Sequence, residues 1–133
     1  MYSKKLKAFT LTELFVVLAI VGILVLLALP KLMPLISRAK STEAQLQLSH
    51  LHMLQKTYFY THSEYSTSFE DIGFEQETLV DDGGSAQYLI EITEAGPSGF
   101  LATATAVKDF DGDGTYNVWE VDQDKKLKEV VKD

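Results

Sequence analysis

The sequence predicts an α+β fold: a long N-terminal α-helix, hydrophobic in its first half and amphipathic in its second, packed on a small C-terminal antiparallel β-sheet. Three observations predict it. An apolar run extends without a break from Leu14 to Pro30. Apolar residues then recur at helical spacing, and no Gly or Pro interrupts residues 35–62. Beyond residue 85, short segments rich in β-formers alternate with turn clusters, and a helix followed by turn-linked strands implies an antiparallel sheet.

The helix is read from about Phe9 to about Thr61. Its second half shows one apolar face, with Ala44, Leu48, Leu51, Leu54 and Tyr58 three or four residues apart. Gln45, Gln47, His52 and Lys56 fall largely elsewhere. Pro30 and Pro34 lie inside the helix, where each removes a backbone donor and crowds the preceding turn, so a kink or local melting is expected there. Gly22 is a second weak point. Residues 62–85 read as a polar and aromatic connecting loop ending in the turn cluster VDDGGS. Strands are expected at 86–93, 100–107, 115–121 and 127–131, and the sheet should bury the apolar helix face.

Composition narrows the function. The chain has 133 residues and a formal net charge of -7, which gives no basic patch for phosphate and argues against a nucleic-acid site. It has no cysteine, so neither disulfides nor thiol chemistry are available. No nucleophile–base set, phosphate loop or paired catalytic carboxylate stands out, and no enzyme is expected.

The N-terminal segment is the most informative. Lys4, Lys5 and Lys7 precede Ala8, and the apolar run follows. A secretory signal peptide has its small-residue cleavage site after the apolar run, whereas here the small residue stands before it. A cut after Ala8 would leave the apolar segment on the mature protein and bring the net charge from -7 to about -10 by removing three lysines. The run is near the lower limit of about 17 residues for crossing a bilayer, and the lysines set the N-terminus on the cytoplasmic side. Glu13 stands at its edge. An acid in such a place costs roughly 2.5–3.5 kcal/mol at a membrane centre and is a functional hypothesis by default.

These residues resemble the N-terminus of a type IV pilin precursor. In that family a basic leader ends in a small residue, usually Gly, followed by Phe, with Glu five residues after the cut. Here those positions are Ala8, Phe9 and Glu13, and Gly22 and Pro30 fall where the family has Gly and Pro. Ala8 departs from the usual Gly. The similarity is dense over 4–40, looser to about 75, and beyond that covers only the layout. It implies a leader at 1–8, a transmembrane and filament-core helix at 9–35, and a globular domain at 36–133 made of amphipathic helix 36–61, connecting loop 62–85 and sheet 86–133. A prepilin peptidase would cut after Ala8 and N-methylate Phe9. Glu13 of one subunit would neutralise the Phe9 amine of another in the low-dielectric filament core, where an unpaired charge is expensive. An interfacial acid without a role is the alternative.

A second motif lies near the C-terminus. Asp109-Phe110-Asp111-Gly112-Asp113-Gly114-Thr115-Tyr116-Asn117-Val118-Trp119-Glu120 fits the twelve-residue calcium-loop template at every patterned position. Asp109, Asp111, Asp113 and the Thr115 carbonyl are the expected Ca²⁺ ligands. Flanking strands in place of helices would carry Glu120 away. Some secretion pseudopilins use such a site where pilins use a disulfide, and an Asp-Gly hairpin turn is the plainer alternative. His50 and His52 point to different helix faces and, with His62, are expected to be solvated. Tyr58, Phe59, Tyr60, Tyr65, Phe69 and Phe74 are expected to cover the seam between helix and sheet.

The resemblance thus implies a structural subunit of a type IV pilus-like filament serving adhesion, twitching motility or DNA uptake. It would wait in the bacterial inner membrane as a single-pass protein, then join an extracellular homopolymer with the help of inner-membrane assembly machinery. A type II secretion pseudopilin is the first alternative, although the stretch from Tyr58 to Phe74 looks more like a pilin loop. A membrane-anchored binding domain that never polymerises is the second, and Glu13 disfavours it, since a plain anchor needs no acid there.

Overall fold

The computed structural model describes residues 5–133. Lys4 and the three residues before it, the start of the expected leader, lie outside the described residues. In order the elements are α1 (Leu11–His62), α2 (Phe69–Ile72), a 3₁₀ turn (Val80–Asp82), β1 (Tyr88–Ala95), β2 (Phe100–Ala106), β3 (Val118–Asp122) and β4 (Leu127–Val131). The strands form one antiparallel meander in the order β1-β2-β3-β4. The α+β architecture is therefore the expected one. Two compact units divide after Pro34.

The first unit holds the start of α1. The backbone is helical through Gly22, Pro30 and Pro34, so the melted alternative at the prolines is not adopted. Every described residue up to Pro34 is exposed, among them the whole apolar run.

The second unit, Leu35–Asp133, contains the core. Ala44, Leu48 and Leu51 of α1 are fully buried, as the helical spacing predicts. They pack in one cluster with Tyr88 and Ile90 of β1, Phe100, Ala102, Ala104 and Ala106 of β2, and Val121 of β3. Alternation on β2 turns its alanines inward and its threonines outward, as expected for period two. Small inward side chains on β2 leave room for the helix. Burying Leu48 and Leu51 contributes about 1.5–3 kcal/mol each.

Polar side chains fasten the connecting loop. Gln55 is fully buried on α1. Its Nε2 donates to the Ser66 carbonyl at 2.6 Å and its Oε1 accepts from the Ser66 amide at 3.0 Å, so one side chain satisfies both backbone groups of Ser66. Gln76 pairs with the edge of β1, accepting from the Ile90 amide at 2.8 Å and donating to the Tyr88 carbonyl at 3.2 Å. Asn117 joins three elements. It accepts from the Tyr88 hydroxyl (2.7 Å) and Trp119 Nε1 (2.8 Å) and donates to Glu129 and the Val131 carbonyl. Burial first, then the charges of Glu43, Glu129 and Asp133, push the Tyr88 phenol far up, so it remains a donor.

Four expectations need correction. β1 begins at Tyr88, because Ala86 is used in a bridge to Leu79, with its amide on the Thr78 carbonyl and its carbonyl on the Val80 amide. β3 begins at Val118, because the Thr115 amide is held by Asp113 instead. His52 is not solvated: it is 8% exposed, its ring lies 5.9 Å from that of Phe100, and its Nε2 lies 3.1 Å from the Gln123 carbonyl. Tyr60 does not cover the seam, being 82% exposed, whereas Phe59 stacks on Tyr65 at 4.7 Å and Tyr65 meets Phe100 at 5.0 Å.

Candidate functional site

Two places carry chemistry, and each is built by its local backbone. The first is the start of α1. Ala8 and Phe9 are exposed, Phe9 by 85%. Immediately after them the Thr10 amide donates to Glu13 Oε2 at 2.7 Å, and the Glu13 amide donates to Thr10 Oγ1 at 3.2 Å. This reciprocal pair is a capping box, which satisfies two of the donors that a helix N-terminus leaves free. An acid in the first turn also suits the positive end of the helix dipole. Sequence reading of Glu13 as a counter-charge alone overlooked this, though Thr-x-x-Glu before an apolar run is itself the signature. Glu13 thus has a structural role in the single chain beside any role between chains.

The second place is the 107–117 connection between β2 and β3. Asp109 accepts from two amides, Gly112 at 2.7 Å and Gly114 at 2.6 Å. Asp111 accepts from the Asp113 amide at 3.0 Å, and Asp113 from that of Thr115 at 2.7 Å. Gly112 and Gly114 have φ of 84° and 88°, a left-handed bend that favours glycine. The turns bring Asp109, Asp111 and Asp113 together, and Asp133 joins them: one carboxylate oxygen from each of the four lies within 4.8 Å of the others. Asp133 Oδ2 accepts from the Phe110 amide at 2.9 Å, while Oδ1 is buried and without a partner. Nothing in the spacing singled out Asp133, because the β3–β4 hairpin alone returns it to the loop. Glu120 is not part of the cluster. It lies on β3, between Thr103 and Lys128 of the neighbouring strands, as strand flanks require.

The four acids have unequal electrostatics. The Gly114 amide, against some desolvation, and then the amides of Gly112, Asp111 and Asp113 hold the Asp109 carboxyl below its ordinary 3.8. At Asp111 the Asp113 amide pulls the same way. It is outweighed by desolvation and by the charges of Asp113, Asp133 and Asp109, so this carboxyl is raised. An all-oxygen donor set with one orphaned buried oxygen fits a hard cation such as Ca²⁺.

The three histidines do not converge. His52 is inside, His50 is exposed, and His62 stacks on Tyr58 at 4.0 Å with Nδ1 3.2 Å from the Tyr58 carbonyl. One helix among the described residues, α1, is long and apolar enough to cross a membrane.

Searches against family models return no match. The chain is similar to the type IV major pilin protein PilA of Myxococcus xanthus (strain DK1622), 37% identical over 76 residues that make up 57% of this chain and 34% of that protein. It is also similar to two fimbrial proteins of Pseudomonas aeruginosa, each 32% identical over 106 residues, 75% of this chain and 69% of theirs. The chain thus spans about a third of the Myxococcus relative and about two thirds of the Pseudomonas ones.

Proposed function

This chain belongs to the type IV pilin-like family, and on that premise we propose that it is cleaved after Ala8, N-methylated at Phe9 and polymerised through the apolar part of α1. That it is a pilin, a structural subunit of a pilus and not an enzyme, follows from its relatives. The finer reading rests on one observation: an exposed, basic segment ending in a small residue sits directly before a helix whose apolar side chains are all uncovered as far as Pro34. Such a surface is not stable in water and needs lipid before assembly and sibling helices after it. The lysines place the leader on the cytoplasmic side for a prepilin peptidase, and inner-membrane machinery carries the subunit outward. Cleavage gives Phe9 an ammonium, and Glu13 supplies the matching charge on a neighbouring subunit. The resulting homopolymer serves adhesion, twitching motility or DNA uptake.

The test is an intact-mass measurement on subunits from filaments and from membranes. The expected mass lacks residues 1–8 and carries one added methyl. A chain starting beyond residue 28 would show an ordinary signal peptide and overturn the reading.

The 107–117 loop belongs to the same proposal as a Ca²⁺ clasp that replaces a disulfide. Asp109, Asp111, Asp113 and Asp133 would hold the ion with the Thr115 carbonyl, and Ca²⁺ would neutralise carboxylates that otherwise repel. The four carboxylates and the orphaned Asp133 oxygen support this. The full chain in detergent should melt higher with Ca²⁺ than with chelator, by the free energy RT ln(1 + [L]/Kd), about 2.7 kcal/mol at a hundredfold excess over Kd. Equal melting would reduce the loop to a turn.

A further inference from the structure

The net charge of -7 hides a local concentration of lysines. The chain has 12 lysines and arginines, three of them before Ala8, and Lys125, Lys126, Lys128 and Lys132 are four of the others. All four are exposed. They mark the turn into β4, the strand itself and its end, and β4 is an edge strand of the sheet. Among the described residues the sole ion pair joins Lys108 to Asp81, so none of the four has a carboxylate partner. Most acids interleaved with them are tied to their own chain. Asp122 Oδ1 accepts from the Asp124 and Lys126 amides at 2.9 and 3.0 Å, Glu129 from Asn117 Nδ2 at 2.8 Å, and Asp133 from the Phe110 amide at 2.9 Å. Glu120 stands opposite Lys128 in register without pairing with it. Lys125 has φ of 58°, a left-handed conformation that glycine or asparagine adopts at less cost. Lysines on an edge strand discourage pairing with other sheets, which accounts for Lys128. It does not account for Lys125 and Lys126 in the turn, nor for Lys132 beyond the strand.

We propose that this lysine row is a binding site for an acidic polysaccharide, a polymer that carries carboxylates on successive sugars. The proposal deepens the adhesion reading above and rests on it for the repetition of the site along a filament, which turns weak single contacts into avidity. Extended, residues 126–132 span about 20 Å, a row suited to a chain-like ligand. Lysine ammonium groups are point charges with rotatable donors, and they meet carboxylates and hydroxyls without a fixed geometry. Other polyanions fit less well. Residues 120–133 hold no aromatic side chain on which a single-stranded base could stack. Duplex DNA carries one charge per about 1.7 Å. So dense a partner is repelled most by the acids elsewhere, such as those of residues 62–85, which have no lysine or arginine among them. A lipid surface calls for an apolar face, and Val130 is the one large exposed apolar side chain of this segment.

The test uses alginate, a polymer of uronic acids, with the full chain in detergent fixed densely on a sensor surface. It therefore reads the site whether or not filaments form. The expected result is retention of alginate but not of neutral dextran, and loss of that retention as salt rises. Lys126→Gln combined with Lys128→Gln should lower the affinity roughly tenfold at low salt, and Lys126→Arg combined with Lys128→Arg should keep it. Lys126→Gln alone should weaken retention, whereas Arg38→Gln, which removes the same charge from an exposed position on α1, should leave it unchanged. Unchanged retention by the double glutamine variant overturns the proposal. Equal losses from Lys126→Gln and Arg38→Gln mean a bulk charge effect and overturn it too, as does tighter retention of duplex DNA than of alginate at the same ionic strength. Filaments are counted separately by electron microscopy. Glutamine variants that lose filaments but keep alginate place the row in a contact between subunits and overturn the proposal. Absence of filaments from the unsubstituted chain removes the filament reading, and alginate retention still decides the site.

Discussion

Glu13 shows how one side chain carries two requirements. Its carboxylate closes the capping box with Thr10, and its charge is the proposed partner of the Phe9 amine. Glu13→Ala removes both, so failure of that variant to assemble would not separate them. Glu13→Gln keeps an acceptor for the Thr10 amide, since Gln serves in a capping box as well as Glu, and loses only the charge. Both variants should insert in the membrane, more readily than the parent because a costly acid is gone, and both should fail to form filaments. Filaments from Glu13→Gln at normal yield, counted by electron microscopy, would show that the cap and not the charge is what matters. Gln55 gives a second residue-scale prediction. Gln55→Leu strands the buried Ser66 amide and carbonyl, so thermal unfolding should show a loss of about 1–3 kcal/mol. Within the sequence Gln55 was unreadable, because it occupies the apolar helix face and only the distant Ser66 backbone explains it. His52 is a similar case: its place next to Gln123 is set by the β3–β4 turn, and no local pattern reports that.

At the scale of elements, α1 and β2 were legible because their own periodicity determines them. Ala44, Leu48 and Leu51 meet the sheet at helical spacing, and the alanines of β2 at period two. The strand starts were less legible. Ala86 and Thr115 read as strand residues, yet their backbone groups are taken by a local bridge and by Asp113. Of the four clustered acids, the three on the β2–β3 connection were legible from the Asp-x-Asp-Gly-Asp-Gly pattern, and Asp133 was not, because its approach depends on the register of β4. The loop makes opposite predictions for neighbouring acids. Asp109, held low by its amide donors, contributes stability above the ordinary carboxylate pKa of 3.8 and loses it as pH falls through the lower folded value. Asp111, raised, takes up a proton first in the folded state, so it contributes stability as pH falls toward 3.8 that is missing at neutral pH. In chelator at neutral pH, Asp109→Asn should therefore lower the melting temperature, and Asp111→Asn should leave it unchanged or raise it. With Ca²⁺ both should abolish the ion-dependent gain. A loss in chelator from Asp111→Asn equal to that from Asp109→Asn would contradict this division of roles.

For the molecule as a whole, what matters is where the core ends. Every residue of the buried apolar cluster lies at or after Ala44, and the compact units separate after Pro34. The run from Leu14 to Pro30, which makes up most of the helical part of the first unit, has no charge at all. Solubility and stability should therefore part from anchoring at this boundary. A chain of residues 35–133 should be soluble, should fold by itself and should melt in one cooperative transition, with circular dichroism showing both helix and sheet. Within it Leu48→Ala, at a fully buried contact with the sheet, should cost about 2–5 kcal/mol. For a domain of this size each kcal/mol moves the midpoint by roughly 4–8 °C, so the effect is easily read by calorimetry. Removing the same number of methyl groups at Leu24, which lies exposed in the first unit, should leave the melting of the full chain in detergent unchanged, because that side chain has no partner in the single chain. Its cost should fall on the filament instead, as reduced yield or shear resistance. A comparable loss of melting temperature from Leu24→Ala and Leu48→Ala would mean that the apolar half of α1 contributes to the fold of the subunit itself, and the division between a self-sufficient domain and an assembly helix would not hold.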